Sequence, residues 1–129
     1  MPTPLEPRDQ GLSREQRLKA SRLFEETFAQ RRRASGRCLT LWLRRGPAAA
    51  RRLGVVASRR LGGAVTRNRA KRRLREAFRL NRHRFRTDAD VVLVARPGAL
   101  TASWAELQQD LLDAARRLGA LDGEAESAP

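Results

Sequence analysis

Between Arg37 and Arg44 the chain alternates, with Leu39, Leu41 and Leu43 at every second position and Cys38, Thr40, Trp42 and Arg44 between them. A period of two places the leucines on one face of a pleated backbone, so the segment predicts a half-buried strand. Gly46-Pro47 stops it, since proline brings no N–H to a ladder. After an alanine-rich turn, Leu53 to Ser58 predicts a second strand, antiparallel to the first, and Gly62-Gly63 closes that unit.

Beyond Thr66 the period changes. Ala70, Leu74, Ala77 and Phe78 recur at i, i+4, i+7 and i+8, which predicts an amphipathic helix from Thr66 to about Asn81. Asp90 to Ala95 (DVVLVA) is nearly continuous in apolar residues and is stopped by Arg96-Pro97-Gly98. That is the pattern of a strand buried on both faces, so it is expected centrally in its sheet. Ser103 and Glu106 have capping-box spacing and open a helix with one apolar stripe of Trp104, Leu107, Leu111, Ala114 and Leu118, which Gly119 ends. Near the start, Ser13 and Gln16 share that spacing after Leu12, and Ser21 precedes Leu23, Phe24 and Phe28, so a helix is expected within 13–31.

The order is thus α-β-β-α-β-α, with an unassigned stretch able to add another strand, α-β-β-(β)-α-β-α. It predicts an α+β fold, a two-layer sandwich of helices over one central sheet. At 129 residues there is room for one small core. Residues 1–12, with Pro2, Pro4, Pro7 and Gly11, are expected to be a disordered tail, residues 13–121 the single domain, and residues 122–129 (DGEAESAP) an acidic disordered tail.

Charge narrows the function. Lys and Arg total 28 against 14 Asp and Glu, a net +14, which calls for a polyanionic partner. Only Lys19 and Lys71 are lysines, so nearly all the charge is guanidinium, the group that binds phosphate as a fork and stacks on bases. One cysteine, Cys38, cannot form an internal disulfide, and with His83 it makes too few soft ligands for zinc. No apolar run reaches the roughly 20 residues of a membrane span, and the polar start is unlike a signal peptide. A soluble, cytoplasmic protein with no membrane partner is expected.

The charge is concentrated on the predicted helix. Asn68, Arg72, Arg75 and Arg79 share the face opposite Ala70, Leu74 and Ala77, and only Glu76 relieves their mutual repulsion. A helix meant only to be solvated would interleave acids, so this face is expected to bind an anionic partner. Asp88 and Asp90 have the spacing of a metal pair, but alternate strand residues or solvated turn acids explain them more simply. No catalytic residue and no metal site is expected in the chain, and replacing either acid is expected to leave activity nearly intact.

A longer set of motifs carries a resemblance. Gly54-Val55-Val56-Ala57-Ser58-Arg59-Arg60-Leu61-Gly62-Gly63-Ala64-Val65 leads into Arg67-Asn68-Arg69-Ala70-Lys71-Arg72 and Arg75-Glu76-Ala77-Phe78, followed by Asp90-Val91-Val92 and Ala95-Arg96-Pro97. From about Phe24 to Leu118 the chain resembles the bacterial ribonuclease P proteins, marked by an Arg-Asn-Arg helix behind a glycine-containing loop. The resemblance implies a left-handed β-α-β crossover through that helix, where backbone sterics alone argue for a right-handed one. It implies docking on a catalytic RNA through Arg67, Asn68, Arg69, Lys71, Arg72 and Arg75, with Arg79 on the same face. Arg59 and Arg60 join them, standing where the family often has paired lysines.

The resemblance further implies that single-stranded leader RNA lies between the first helix and the sheet, against positions matched here by Phe24, Phe28 and Trp42. Phe24 and Phe28 are equally what a core-facing helix needs, so stacking and packing both remain open for them. The chain departs from the family at Arg31, where a glycine usually follows the first helix, and at Ala89, where an aromatic usually precedes Asp90.

The implied activity is that of the protein subunit of ribonuclease P, which binds the catalytic RNA and the 5′ leader of precursor tRNA and promotes removal of that leader. The active site would be built by the RNA, with Mg²⁺ held mainly by it, and no obligate protein partner is implied. The alternative is a non-catalytic binding protein of ribosomal or RNA-chaperone type, against which the motif order from Arg67 to Phe78 argues.

Overall fold

The computed structural model describes residues 21–46 and 48–122. Helix α1 (Ser21–Ala29) is followed by strands β1 (Arg32–Ser35), β2 (Leu39–Arg45) and β3 (Leu53–Val56). A single 3₁₀ turn at Arg59–Leu61 leads into the long helix α2 (Ala64–Asn81), and another at Arg82–Arg84 leads out of it. Strand β4 (Ala89–Ala95), the one-turn helix α3 (Gly98–Thr101) and helix α4 (Trp104–Arg117) complete the order. The capping box proposed at Ser13 and Gln16 lies outside the described residues, as do both expected tails apart from Asp122. Asp122 itself donates its N–H to the Arg84 carbonyl, 2.6 Å away.

The strands form one sheet in the order β1-β2-β4-β3. β4 takes the central place that its apolar run predicts, with Val91, Val92 and Leu93 fully buried. One expectation fails here: β3 does not pair antiparallel with β2. It pairs in parallel with β4, Leu53 opposite Val91 and Val56 opposite Val94, because β4 inserts between the two earlier strands and needs a partner on each side. The parallel pair is joined through α2, as parallel neighbours require a long crossover. The optional extra strand is β1, antiparallel to β2 and ahead of it in the chain, not behind.

Strand alternation sorts the side chains onto two faces. Leu39, Leu41 and Leu43 meet Leu53, Val91 and Leu93 beneath Ala70, Leu74, Ala77 and Phe78 of α2 and Leu107, Leu111 and Ala114 of α4. Each large side chain so buried is worth roughly 1.5–3 kcal/mol. Phe78 and Phe85 close one end of this core, ring centroids 4.8 Å apart. On the other face stand Arg33, Thr40, Trp42, Arg44, Asp90, Val92 and Gly54, by the registers of the three strand pairs, and α1 lies across them.

The helix ends follow their sequence signals. Ser103 and Glu106 make the reciprocal capping box, and α4 ends at Gly119 in left-handed backbone (φ 69°). Arg73, although on α2, faces inward and donates to the carbonyls of Ala99 (2.7 Å) and Ala102 (2.8 Å), filling the acceptors at the end of α3. Among the described residues no helix is long and apolar enough to cross a membrane.

Candidate nucleic-acid interface

α2 buries Ala70, Leu74, Ala77 and Phe78 and turns Asn68, Arg69, Arg72 and Arg75 to solvent. Arg67, Lys71 and Arg79 lie half-buried along its flanks, while Arg59 and Arg60 stand exposed on the 3₁₀ turn before it. All nine residues expected to meet RNA therefore fall on one helix and its lead-in. Arg79 has a local counter-ion, forming a two-pronged pair with Glu76, and the hydrogen bond from Arg79 holds the Glu76 carboxyl below its ordinary range. In the exposed row Arg69, Arg72 and Arg75 follow one another three residues apart, an arrangement that costs a bare helix a few tenths of a kcal/mol per like-charged pair.

The second site lies on the opposite face of the sheet, under α1. The Phe28 ring stands edge-on to Trp42, centroids 4.9 Å apart and planes at 87°. Arg33, directly opposite Trp42 in the β1–β2 register, places its guanidinium carbon 5.2 Å from the centre of the indole. These three residues and Arg31 line a cleft of about 420 Å³. Phe24, one turn earlier on α1, lies against Gly54 of β3, where a Cβ would stand 2.5 Å from its ring. Gly54 lets the ring tip come this close, and Gly54→Ala is expected to push Phe24 aside at a cost of at most about 1–3 kcal/mol in chemical denaturation. The three aromatic positions expected to meet the leader do converge on one face. Phe24 leans on β3, whereas Phe28 and Trp42 border open space.

Arg31 and Arg33 did not stand out in the sequence as site residues. The signal was present in the run Arg31-Arg32-Arg33, since alternation on an edge strand sends the first and third one way and the second the other. Arg32 accordingly turns away and donates to the Leu118 carbonyl at 2.9 Å.

The pair Asp88 and Asp90 must be separated. Asp88 is exposed and paired with Arg86 and Arg45, as a turn acid would be. Asp90 is not solvated at all. Its Oδ1 accepts from the N–H groups of Ala50 and Arg52 and from Arg52 Nε, and its Oδ2 from Arg44 Nη1 and Arg52 Nη2, at 2.8–3.1 Å. Arg44, buried although it was expected on the strand's polar face, also reaches Glu26 of α1 at 2.9 Å. Burial alone would raise the Asp90 pKa, but the bonds from Arg52 and the backbone outweigh it and hold the carboxyl below its usual range.

With its acceptor positions filled, Asp90 has none left for a cation. Among the described residues no group of three or more His, Cys, Asp or Glu gathers. The Cys38 thiol is pushed up by burial and then by Asp110, away from the reactive thiolate.

A small α+β sandwich with an arginine-faced helix on one side and an aromatic cleft on the other defines an RNA-binding protein. The family described as Ribonuclease P matches residues 12–119. The chain is 40% identical over 109 residues to the ribonuclease P protein component of Symbiobacterium thermophilum, covering 84% of this chain and 95% of that one. It is 42% identical over 103 residues to the ribonuclease P protein component of Thermus scotoductus, covering 79% of this chain and 59% of that longer one. Among solved structures, the RNase P protein from Thermotoga maritima is similar with a TM-score of 0.66 at 27% identity, over 75% of this chain and 92% of that one. The chain belongs to the ribonuclease P protein family and is a protein subunit of that enzyme.

Proposed function

We propose that the chain acts in the cytoplasm by bridging two RNAs: the catalytic RNA, bound along α2, and the leader of precursor tRNA, bound under α1. The observation that carries the reading is the separation of the two sites onto opposite faces of one sheet. A basic helix face gives phosphate and shape contacts to folded RNA, and an aromatic cleft gives stacking to unpaired bases. Arg59, Arg60, Arg67, Asn68, Arg69, Lys71, Arg72, Arg75 and Arg79 serve the first; Phe24, Phe28 and Trp42 serve the second.

The acid pair that the sequence offers does not fit a hydrolytic metal site, since Asp90 is saturated and Asp88 is paired with arginines. In this reading the hydrolytic step belongs to the RNA, where Mg²⁺ would supply charge neutralisation and an activated water. The protein's part is to lower phosphate repulsion and hold the leader.

Titration of precursor and mature tRNA against the reconstituted holoenzyme tests this. Trp42→Ala is expected to weaken precursor binding by about 1–3 kcal/mol, roughly 5- to 150-fold, because base stacking is lost, and to leave mature tRNA nearly unaffected. Equal losses for both RNAs would instead place Trp42 in folding or in docking to the catalytic RNA.

A further inference from the structure

Within the triplet Arg31-Arg32-Arg33 only the middle side chain reaches the core side of the sheet. The outer two converge on Phe28 and Trp42 around the 420 Å³ cleft, a volume within the roughly 300–1,000 Å³ of small-ligand pockets. Both are exposed. Arg33 lies over the indole of Trp42, and Phe28 meets the same indole edge-on. The cleft thus presents π surface and guanidinium forks within one opening.

The backbone at Arg31 points the same way. Its φ of 58° is left-handed, a region that residues with a Cβ avoid and glycine adopts freely. Among the described residues, nothing in the turn calls for an arginine side chain. The turn is closed by the Arg31 N–H to the Phe28 carbonyl (3.1 Å), and by the Gln30 amide, which bonds the Arg45 N–H (2.9 Å) and carbonyl (3.1 Å). A strained residue that lines a cleft, with no use for its side chain among the described residues, points to a contact made to a ligand.

We propose that Arg31 and Arg33 build, with Phe28 and Trp42, a subsite for one nucleotide step of single-stranded RNA. The base lies against the π surface that Phe28 and Trp42 present to the cleft, and the flanking phosphates are held by the two forks. The inference rests on the cleft being the leader site and adds the residues that hold the leader's backbone there. It selects unpaired RNA, because a base locked in a duplex offers no free face to the aromatic pair. It is indifferent to base identity, because every base has a π face and the forks touch only phosphate.

The test uses full-length protein in reconstituted holoenzyme, titrated with precursor tRNA and mature tRNA across a salt series. The double variant Arg31→Gly/Arg33→Ser is expected to weaken precursor binding roughly tenfold or more. It should also flatten the precursor's log-affinity versus log-salt slope by about 0.7 for each phosphate no longer bound, with mature tRNA unchanged. Arg31→Gly alone should melt no lower than wild type, since glycine relieves the left-handed backbone. If that variant melts lower, the side chain serves the fold and the subsite is overturned. Equal losses for precursor and mature tRNA would move the two arginines to the catalytic RNA and overturn the subsite as well. Trp42→Ala keeps the two levels apart. If it loses precursor discrimination while the arginine variants do not, the subsite fails and the leader cleft stands; if neither loses it, both fail.

Discussion

Asp90→Ala is expected to destabilise the protein by about 3–5 kcal/mol, measured by denaturant unfolding, and thereby to deplete the folded subunit. The magnitude is that of breaking a buried ion pair from one side, which leaves the half-buried Arg52 guanidinium without its counter-charge and the buried Arg44 with Glu26 alone. Asp90 and Arg44 have almost no solvent exposure, at 0% and 8%. Two backbone donors, Ala50 N–H and Arg52 N–H, lose their acceptor as well, so the chain leading into β3 loses its anchor. Asp88→Ala is expected to leave the denaturation midpoint nearly unchanged, since its pairs with Arg86 and Arg45 are solvent-screened. The sequence alone treats the two acids alike; their environments place them at opposite extremes.

The same carboxylate predicts a pH dependence. Its folded pKa is depressed, so its stabilisation is complete above the ordinary aspartate value of about 3.9 and drains away as pH falls through the lower folded value. Stability measured from pH 6 down to pH 2 should therefore fall on the acid side in wild type. In Asp90→Asn that part of the acid limb should be missing, at the cost of a lower plateau near neutrality. A wild-type curve flat to pH 2 would contradict the assignment.

The second large effect is expected on RNA affinity. Arg72→Ala together with Arg75→Ala removes two guanidiniums from the exposed row of α2, while the buried row that holds the helix is untouched. Charge-assisted hydrogen bonds are worth roughly 1.5–3 kcal/mol each, so the pair is expected to weaken binding of the catalytic RNA by two orders of magnitude or more. Freeing two phosphates should also flatten the salt slope by a little under about 2 units, which a folding defect would not do selectively. Unchanged affinity and slope would move the RNA surface off this helix.

How far the sequence reaches depends on the range of the interaction. β2, α2 and α4 are visible in advance, since each is set by a local period: two for Leu39, Leu41 and Leu43, and 3.6 for Ala70, Leu74, Ala77 and Phe78. The capping box at Ser103 is equally local. What stays hidden is pairing over distance. Nothing near Leu53 says that its neighbour is Val91 and not a residue of β2, and nothing near Arg44 announces a partner 46 positions later. The polar member of an alternating strand reads as solvent-facing unless an opposing charge is known to lie beneath a helix. The nucleic-acid sites are legible in part for the same reason: the arginine row of α2 is one helix face, whereas the cleft draws on α1, β1 and β2 and closes only in three dimensions. The left-handed backbone at Arg31 explains the family's usual glycine there, and makes the arginine of this chain a strained exception.

The placing of β4 between β2 and β3 has a consequence in time. Translation delivers β2, β3 and the arginine helix before the strand that joins them, so the earlier strands share no edge until β4 emerges, roughly 40 residues after β3 and some seconds later at ordinary elongation rates. Until then the leucine face of β2 and the apolar stripe of α2 have no sheet to close over them. The domain is therefore expected to close late, through contacts far apart in the chain, and a nascent chain stalled ahead of Asp90 is expected to present a cationic helix without a fold behind it.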